Sequence, residues 1–152
     1  MSVRVLVVAA HPDDEALGCG ATMARHAARG DTVCGLFMAD GVGARGSTIG
    51  LEARRAAAEA AARVLGAEPP RVLGFPDNRL DTVALLDIVQ AVEGVLAEVQ
   101  PDVIYTHHGG DLNIDHVIAH RAVMTAARPV PGQPVRAVYG FEVPSSTEQP
   151  YE

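Results

Sequence analysis

The chain has 152 residues, of which 48 % are apolar and 20 % charged, a length and composition that suit one compact domain and exclude a disordered chain. The net charge is −7, and all 12 basic residues are Arg, with no run among them. That excludes the clustered cations a nucleic-acid or anionic-membrane surface needs.

Val3 to Ala9 is short, β-branched and almost wholly apolar, the pattern of a central parallel strand covered on both faces. Ahead of it, Met1-Ser2-Val3-Arg4 offers no small-residue cleavage site, and no apolar run approaches the ~20 residues that span a bilayer. A cytoplasmic protein without a membrane span is expected. Ala10-His11-Pro12-Asp13-Asp14-Glu15 follows the strand as a polar loop, and Ala16 to Arg29 reads as a helix ended by Gly30. Thr32 to Ala39 is a second buried strand, with a glycine-rich loop, Asp40 to Gly46, at its end. Glu52 to Leu65 is an alanine-rich helix stopped by Gly66, and Arg71 to Phe75 a short strand. Leu85, Ile88, Val89, Val92, Val95, Leu96 and Val99 repeat at helical spacing, which predicts an amphipathic helix over roughly 81–98. Val103 to Tyr105, Ile114 to Ala127 and Val135 to Val143 complete the series as strand, helix and strand. Cys19 and Cys34 fall inside predicted elements, where reduced core thiols are expected.

Strands alternating with helices predict an α/β fold: a Rossmann-like, doubly wound, mainly parallel five-stranded sheet with helices on both faces. No repeat or linker divides residues 1–152, so a single domain is expected. In such sheets ligands sit at the carboxyl ends of the strands. Loops 10–15, 40–50, 76–79, 107–113 and 142–148 all follow strands and should converge on one edge.

Chemistry concentrates in two of those loops. In His11-Pro12-Asp13-Asp14, a histidine and an acid three residues apart can reach one cation. The adjacent carboxylates point in different directions, so one can bind metal while the other faces water. Helix capping would explain one acid, but not the histidine together with Glu15. The second constellation runs from Thr106 to His116. His116, early in a helix, can complete a two-histidine, one-carboxylate set of the kind found in catalytic zinc sites, which leave a position open for water. Iron(II) suits the same ligands. Asp115 reads as either an orienting partner of a histidine or a cap. His116 and His120 have zincin spacing, but Val117 stands where that motif needs a glutamate, so His120 is expected to pack or to orient. His26 is expected at the surface. Gly18-Cys19-Gly20 lacks the third glycine of a dinucleotide fingerprint and is better read as close helix-to-sheet packing. No activated nucleophile is present.

The pairing of Ala10-His11-Pro12-Asp13-Asp14-Glu15 with Asp115-His116 resembles the PIG-L/LmbE-like deacetylases. So do Asp40 to Arg45, the helix from Arg54 to Gly66, Phe75 to Asp81, and Phe141-Glu142-Val143-Pro144-Ser145-Ser146-Thr147. The resemblance implies a metal-dependent, usually zinc, hydrolase that removes acetyl from an N-acetylglucosamine-type sugar or glycoconjugate. It implies that His11, Asp14 and His116 hold the metal, that Asp13 is the general base, and that Arg45, Arg54 and Asp77 contact substrate. Oxyanion stabilisation falls to Asn113, which stands where many members carry a histidine, or to His107 or His108. Members usually continue beyond the Ser-Ser-Thr segment, so the chain is expected to lack the family's C-terminal part. The alternative reading is therefore a metal- and sugar-binding protein without turnover. An exposed sheet edge near 136–143 leads to an expectation of homo-oligomers.

Overall fold

The computed structural model describes residues 1–42 and 50–144. Arg45 and the Ser145-Ser146-Thr147 segment lie outside them. The elements run β1 (Arg4–Ala9), α1 (Asp14–Ala28), β2 (Thr32–Ala39), α2 (Leu51–Leu65), β3 (Arg71–Phe75), α3 (Leu85–Val99), β4 (Val103–His107), α4 (Ile114–Ala126) and β5 (Ala137–Phe141). All pairings are parallel, in the order β3-β2-β1-β4-β5. Among the described residues no helix is long and apolar enough to cross a membrane.

The strand order follows from the connections. The chain winds outward from β1 to β3, then returns across β1 to place β4 and β5 on the other side. With right-handed crossovers, winding in opposite directions puts successive helices on opposite faces. One face packs Val5, Val7 and Phe37 of the sheet against Cys19, Met23 and Ala58 of α1 and α2. The other packs Leu6, Val8, Leu36 and Met38 against Ile88, Val92, Ala119 and Val123 of α3 and α4. Alternate residues of β1 and β2 therefore serve different cores, which is why both strands are buried and apolar after their first residues, Arg4 and Thr32. The order of winding reverses between β1 and β4, so the crevice this fold provides opens at their carboxyl ends.

Several predicted boundaries move, among them β4, which runs on to His107, and β5, which shortens to Ala137–Phe141. Helix α1 begins at Asp14, so Asp14 and Glu15 belong to its first turn. The helix expected from residue 81 begins at Leu85, because Leu80–Thr82 closes a separate 3₁₀ turn and Ala84 is extended. Gly18 has the close-packing role expected of it. A Cβ there would collide with the Phe141 ring and stand 2.9 Å from the Glu142 carbonyl oxygen. Gly18→Ala is expected to destabilise the fold by about 1–3 kcal/mol, read as a lower denaturation midpoint at an unchanged denaturant slope.

Candidate metal centre

The loop after β1 bends sharply. Asp13 takes φ 137 and ψ −31, a conformation that strains an L-residue by about 1–3 kcal/mol. Three hydrogen bonds hold it there. The Asp13 N–H donates to Glu15 Oε2 at 2.9 Å, and its carbonyl accepts from Ala16 and Leu17 N–H at 3.1 and 3.0 Å. The bend turns Asp14 back, so that its Oδ2 accepts the His11 N–H at 3.0 Å.

The loop after β4 is built around Asp111 and Asn113. Asn113 caps α4, its Oδ1 accepting from Asp115 N–H at 2.9 Å and His116 N–H at 3.4 Å. Asp111 Oδ1 accepts the Asn113 N–H at 2.9 Å, and its Oδ2 takes a hydrogen bond from His116 Nδ1 at 2.9 Å. His116 is thereby oriented with Nε2 towards Asp14 Oδ2, 3.1 Å away. His11 is oriented in a parallel way. Its Nε2 lies 2.8 Å from Asp115 Oδ2 and 3.1 Å from Asp77 Oδ1, while Nδ1 lies 3.3 Å from Asp14 Oδ2. Asp115 is fully buried and also accepts the N–H groups of Asn78 and Leu80 at 2.7 and 3.0 Å.

His11, Asp14 and His116 each offer a ligand atom, all within 4.8 Å of one another. Atoms bound about 2.0–2.2 Å from a tetrahedral zinc stand about 3.3–3.6 Å apart, close to the 3.1 and 3.3 Å between Asp14 Oδ2 and the two imidazoles. The donor set therefore fits one divalent cation. His107, Asp111 and His116 form a second close group, and His11, Asp77 and Asp115 a third. In these, His107 Nε2 already accepts the Ala10 N–H at 2.9 Å, and both oxygens of Asp115 already accept backbone N–H groups. Asp111 and Asp115 thus hold the far nitrogens of the two histidines, the arrangement that fixes metal-ligating imidazoles.

The electrostatics also favour a cation. Burial alone lowers the pKa of His11, but its hydrogen bonds to Asp115 and Asp14 and their charges overcome this and raise it to about 10. His116 is likewise opposed by burial and raised by Asp14 and Asp111. Burial raises the Asp14 carboxyl, yet His11 and His116 bring it well below the usual carboxylate range. His107 is different. Burial and the charge of His116 push it down to about 3, so it stays neutral while stacking on His116 at 3.8 Å. A metal held by His11 would have to displace its proton, so affinity should rise with pH, about tenfold per unit below pH 10 from this group. Titration calorimetry in buffers of different ionisation enthalpy will show the released proton. An affinity flat between pH 6 and 8 would remove His11 from the ligand set.

The remaining expected residues fall as follows. Arg54 donates to Asp13 Oδ2 at 3.3 Å, and its Nε is buried with no hydrogen-bond partner among the described residues. His108 is exposed on the turn after β4. His120 Nδ1 donates to the His107 carbonyl at 2.8 Å. His26 is not a free surface residue but is half-buried, bridging Asp31 at 2.7 Å and the Tyr105 hydroxyl at 3.0 Å. Sequence reasoning missed Asp111. Its signal was an acid in the strand-to-helix loop five residues before His116, at the end where that histidine's Nδ1 lies.

An α/β sheet with a histidine–carboxylate cluster at its switch point defines a doubly wound protein whose site could hold a metal ion. Within that class, residues 6–127 match the model of the PIG-L family, GlcNAc-PI de-N-acetylase, and the chain belongs to this family. The Escherichia coli K12 protein YaiS, described as an uncharacterized deacetylase, is 33 % identical over 147 residues, covering 93 % of this chain and 75 % of YaiS. The 1D-myo-inositol 2-acetamido-2-deoxy-alpha-D-glucopyranoside deacetylase of Geodermatophilus obscurus is 34 % identical, covering 82 % of this chain and 53 % of that enzyme. Among solved structures, the conserved protein TT1542 of Thermus thermophilus superposes with a TM-score of 0.80 at 30 % identity, covering 99 % of this chain and 69 % of that one. GalB, the 4-carboxy-2-hydroxymuconate hydratase of Pseudomonas putida KT2440, superposes with a TM-score of 0.70 at 27 % identity, covering 92 % and 62 %. The chain thus spans three-quarters of YaiS but about half of the inositol-sugar deacetylase.

Proposed function

We propose that the chain hydrolyses the acetamide of an N-acetylated amino sugar or its conjugate, releasing acetate and the free amine. The observation that carries this reading is Asp14 Oδ2 shared between His11 Nδ1 and His116 Nε2 at 3.3 and 3.1 Å, with Asp13 beside it on a strained backbone. Family membership and the sugar deacetylase among the relatives support it. His11, Asp14 and His116 would hold the cation, zinc in the first instance and iron(II) as the alternative. When bound, such a cation supplies Lewis-acid polarisation of the carbonyl and lowers the pKa of water.

The chain's own residues do the rest. Asp13 is half-exposed, and burial and the Asp14 charge raise its carboxyl against the opposing pull of Arg54. A raised carboxylate is a stronger general base, able to take the proton of the attacking water and return it to the departing nitrogen. Arg54, tied to Asp13 and with its side chain part-exposed, would meet a sugar hydroxyl, and Asp77 lies beside His11. His108 is the donor we assign to the developing oxyanion. Asn113 has its Oδ1 engaged in the cap.

The test is acetate release from a panel of N-acetylglucosamine conjugates, before chelation, after it, and after zinc or iron(II) is restored. A metal-loaded protein that releases no acetate from any of them sinks the proposal, and sugar binding without release would favour the non-catalytic reading. The likeness to GalB supports a second reading, addition of water to a conjugated double bond. Such an enzyme bleaches an unsaturated acid and frees no acetate.

A further inference from the structure

We propose that Glu15 is a positioning residue that aims the Asp13 carboxylate, acting through the loop backbone; this rests on Asp13 being the general base. Asp13 stands at φ 137 and ψ −31. Its side chain is half-exposed, with one ion-pair partner among the described residues, Arg54 at 3.3 Å. The direction of its Cα–Cβ bond is therefore set by its two peptide planes. On the C-terminal side, the Asp13 carbonyl is fixed by the first amides of α1, Ala16 and Leu17. On the N-terminal side, the anchor is Glu15 Oε2, 2.9 Å from the Asp13 N–H. Glu15 is only 4 % exposed, so water does not readily replace it.

A carboxylate in the first turn of a helix is ordinarily explained by the dipole and the unpaired amides there. That accounts for burial beside α1, and a first-turn glutamate can reach back to the N-cap N–H; here that N–H belongs to the one residue of the loop with a strained φ. Without the Glu15 acceptor, the Pro12–Asp13 peptide can rotate to relieve the strain. That rotation swings the Asp13 carboxylate away from the reacting carbonyl while leaving His11 and Asp14 to their own hydrogen bonds. A shift of about 1 Å in a catalytic group is enough for about a hundredfold loss of rate.

The experiment is a double-mutant cycle with a second, activity-free readout. Glu15→Ala removes the acceptor, and Glu15→Gln keeps one oxygen; Glu15→Asp, one methylene shorter, replaces the alanine variant where that does not fold. Expected for Glu15→Ala is a kcat about 10–100-fold lower, with KM within about threefold and metal content unchanged. Glu15→Gln should stay within about threefold of the parent. On an Asp13→Ala background, Glu15→Ala should cause no further loss, since residues acting through one another are not additive. Independently, exchange of the Asp13 amide followed by NMR should be protected in the parent and in Glu15→Gln, and at least about tenfold faster in Glu15→Ala.

Equal losses in the Gln and Ala variants, a further loss on the Asp13→Ala background, or unchanged Asp13 amide exchange would each overturn the inference. A parent that releases no acetate would instead overturn the deacetylase reading, and the exchange arm would still decide whether Glu15 clamps the loop.

Discussion

Asp13→Asn is expected to lower kcat for deacetylation by about 10²–10⁴-fold while leaving one metal per chain. Asparagine matches aspartate in shape and can still meet Arg54, but it cannot accept a proton at neutral pH. Asp13 reaches neither histidine within ion-pairing distance among the described contacts, whereas Asp14 reaches both His11 and His116. The neighbouring carboxylates are thus turned to different partners by one peptide bend. KM should change by no more than a few fold, because the contacts proposed for the amide carbonyl and the sugar come from other residues. The check is acetate release alongside elemental analysis of the same preparation. If metal disappears together with activity, Asp13 belongs to the ligand set and the division between the two acids is wrong.

How much of this was legible in the sequence depended on range. The two-faced core of β1 and β2 is written in continuous apolar runs, and α3 in a seven-residue periodic series, because burial selects residue types locally, on both faces of those strands and on one face of that helix. Asp14 with His11 was readable because three residues of loop bring them together. His116 needed the fold, since only parallel pairing of β1 with β4 (Val5 with Val103 through Val8 with Thr106) brings the two loops side by side. The supporting carboxylates were harder. Asp111 and Asp115 look like ordinary helix-start acids in sequence, and Asp115 does lie in the first turn of α4. Its side chain instead crosses to His11, 104 residues earlier in the chain. Asn113, which the resemblance placed at the oxyanion, also caps α4, its Oδ1 accepting from Asp115 and His116 N–H. His26 read as surface because nothing in its own helix predicts Tyr105 of β4 as a partner.

Asp115→Ala is expected to be the most damaging single change in the chain, lowering stability by about 3–5 kcal/mol out of the ~5–15 typical of a domain. Asp115 is fully buried, and it is the meeting point of three segments: the His11 loop, the turn at Asn78 to Leu80, and α4. Truncation leaves two backbone N–H groups without their acceptor, each worth about 1–3 kcal/mol when buried and unpaired. It also takes from His11 the hydrogen bond that most raises its pKa. The sign of the pH dependence follows. His11 titrates at 6.5 in an unfolded chain and at about 10 in the metal-free fold, so its contribution to stability is fully present below pH 6.5. It is lost as pH rises towards 10. The gap between parent and Asp115→Ala should accordingly be widest near pH 6 and narrow above it, as read by denaturant titrations of the metal-free proteins. Asp115→Asn separates the two duties of the residue. One amide oxygen can still accept from Asn78 or Leu80, but the NH₂ group faces donors and no longer holds the His11 ring. Metal affinity in that variant should fall about 10–100-fold with a smaller loss of stability. If Asp115→Ala unfolds at the parent's midpoint, the buried carboxylate is not what joins the turn after β3 to the metal loop.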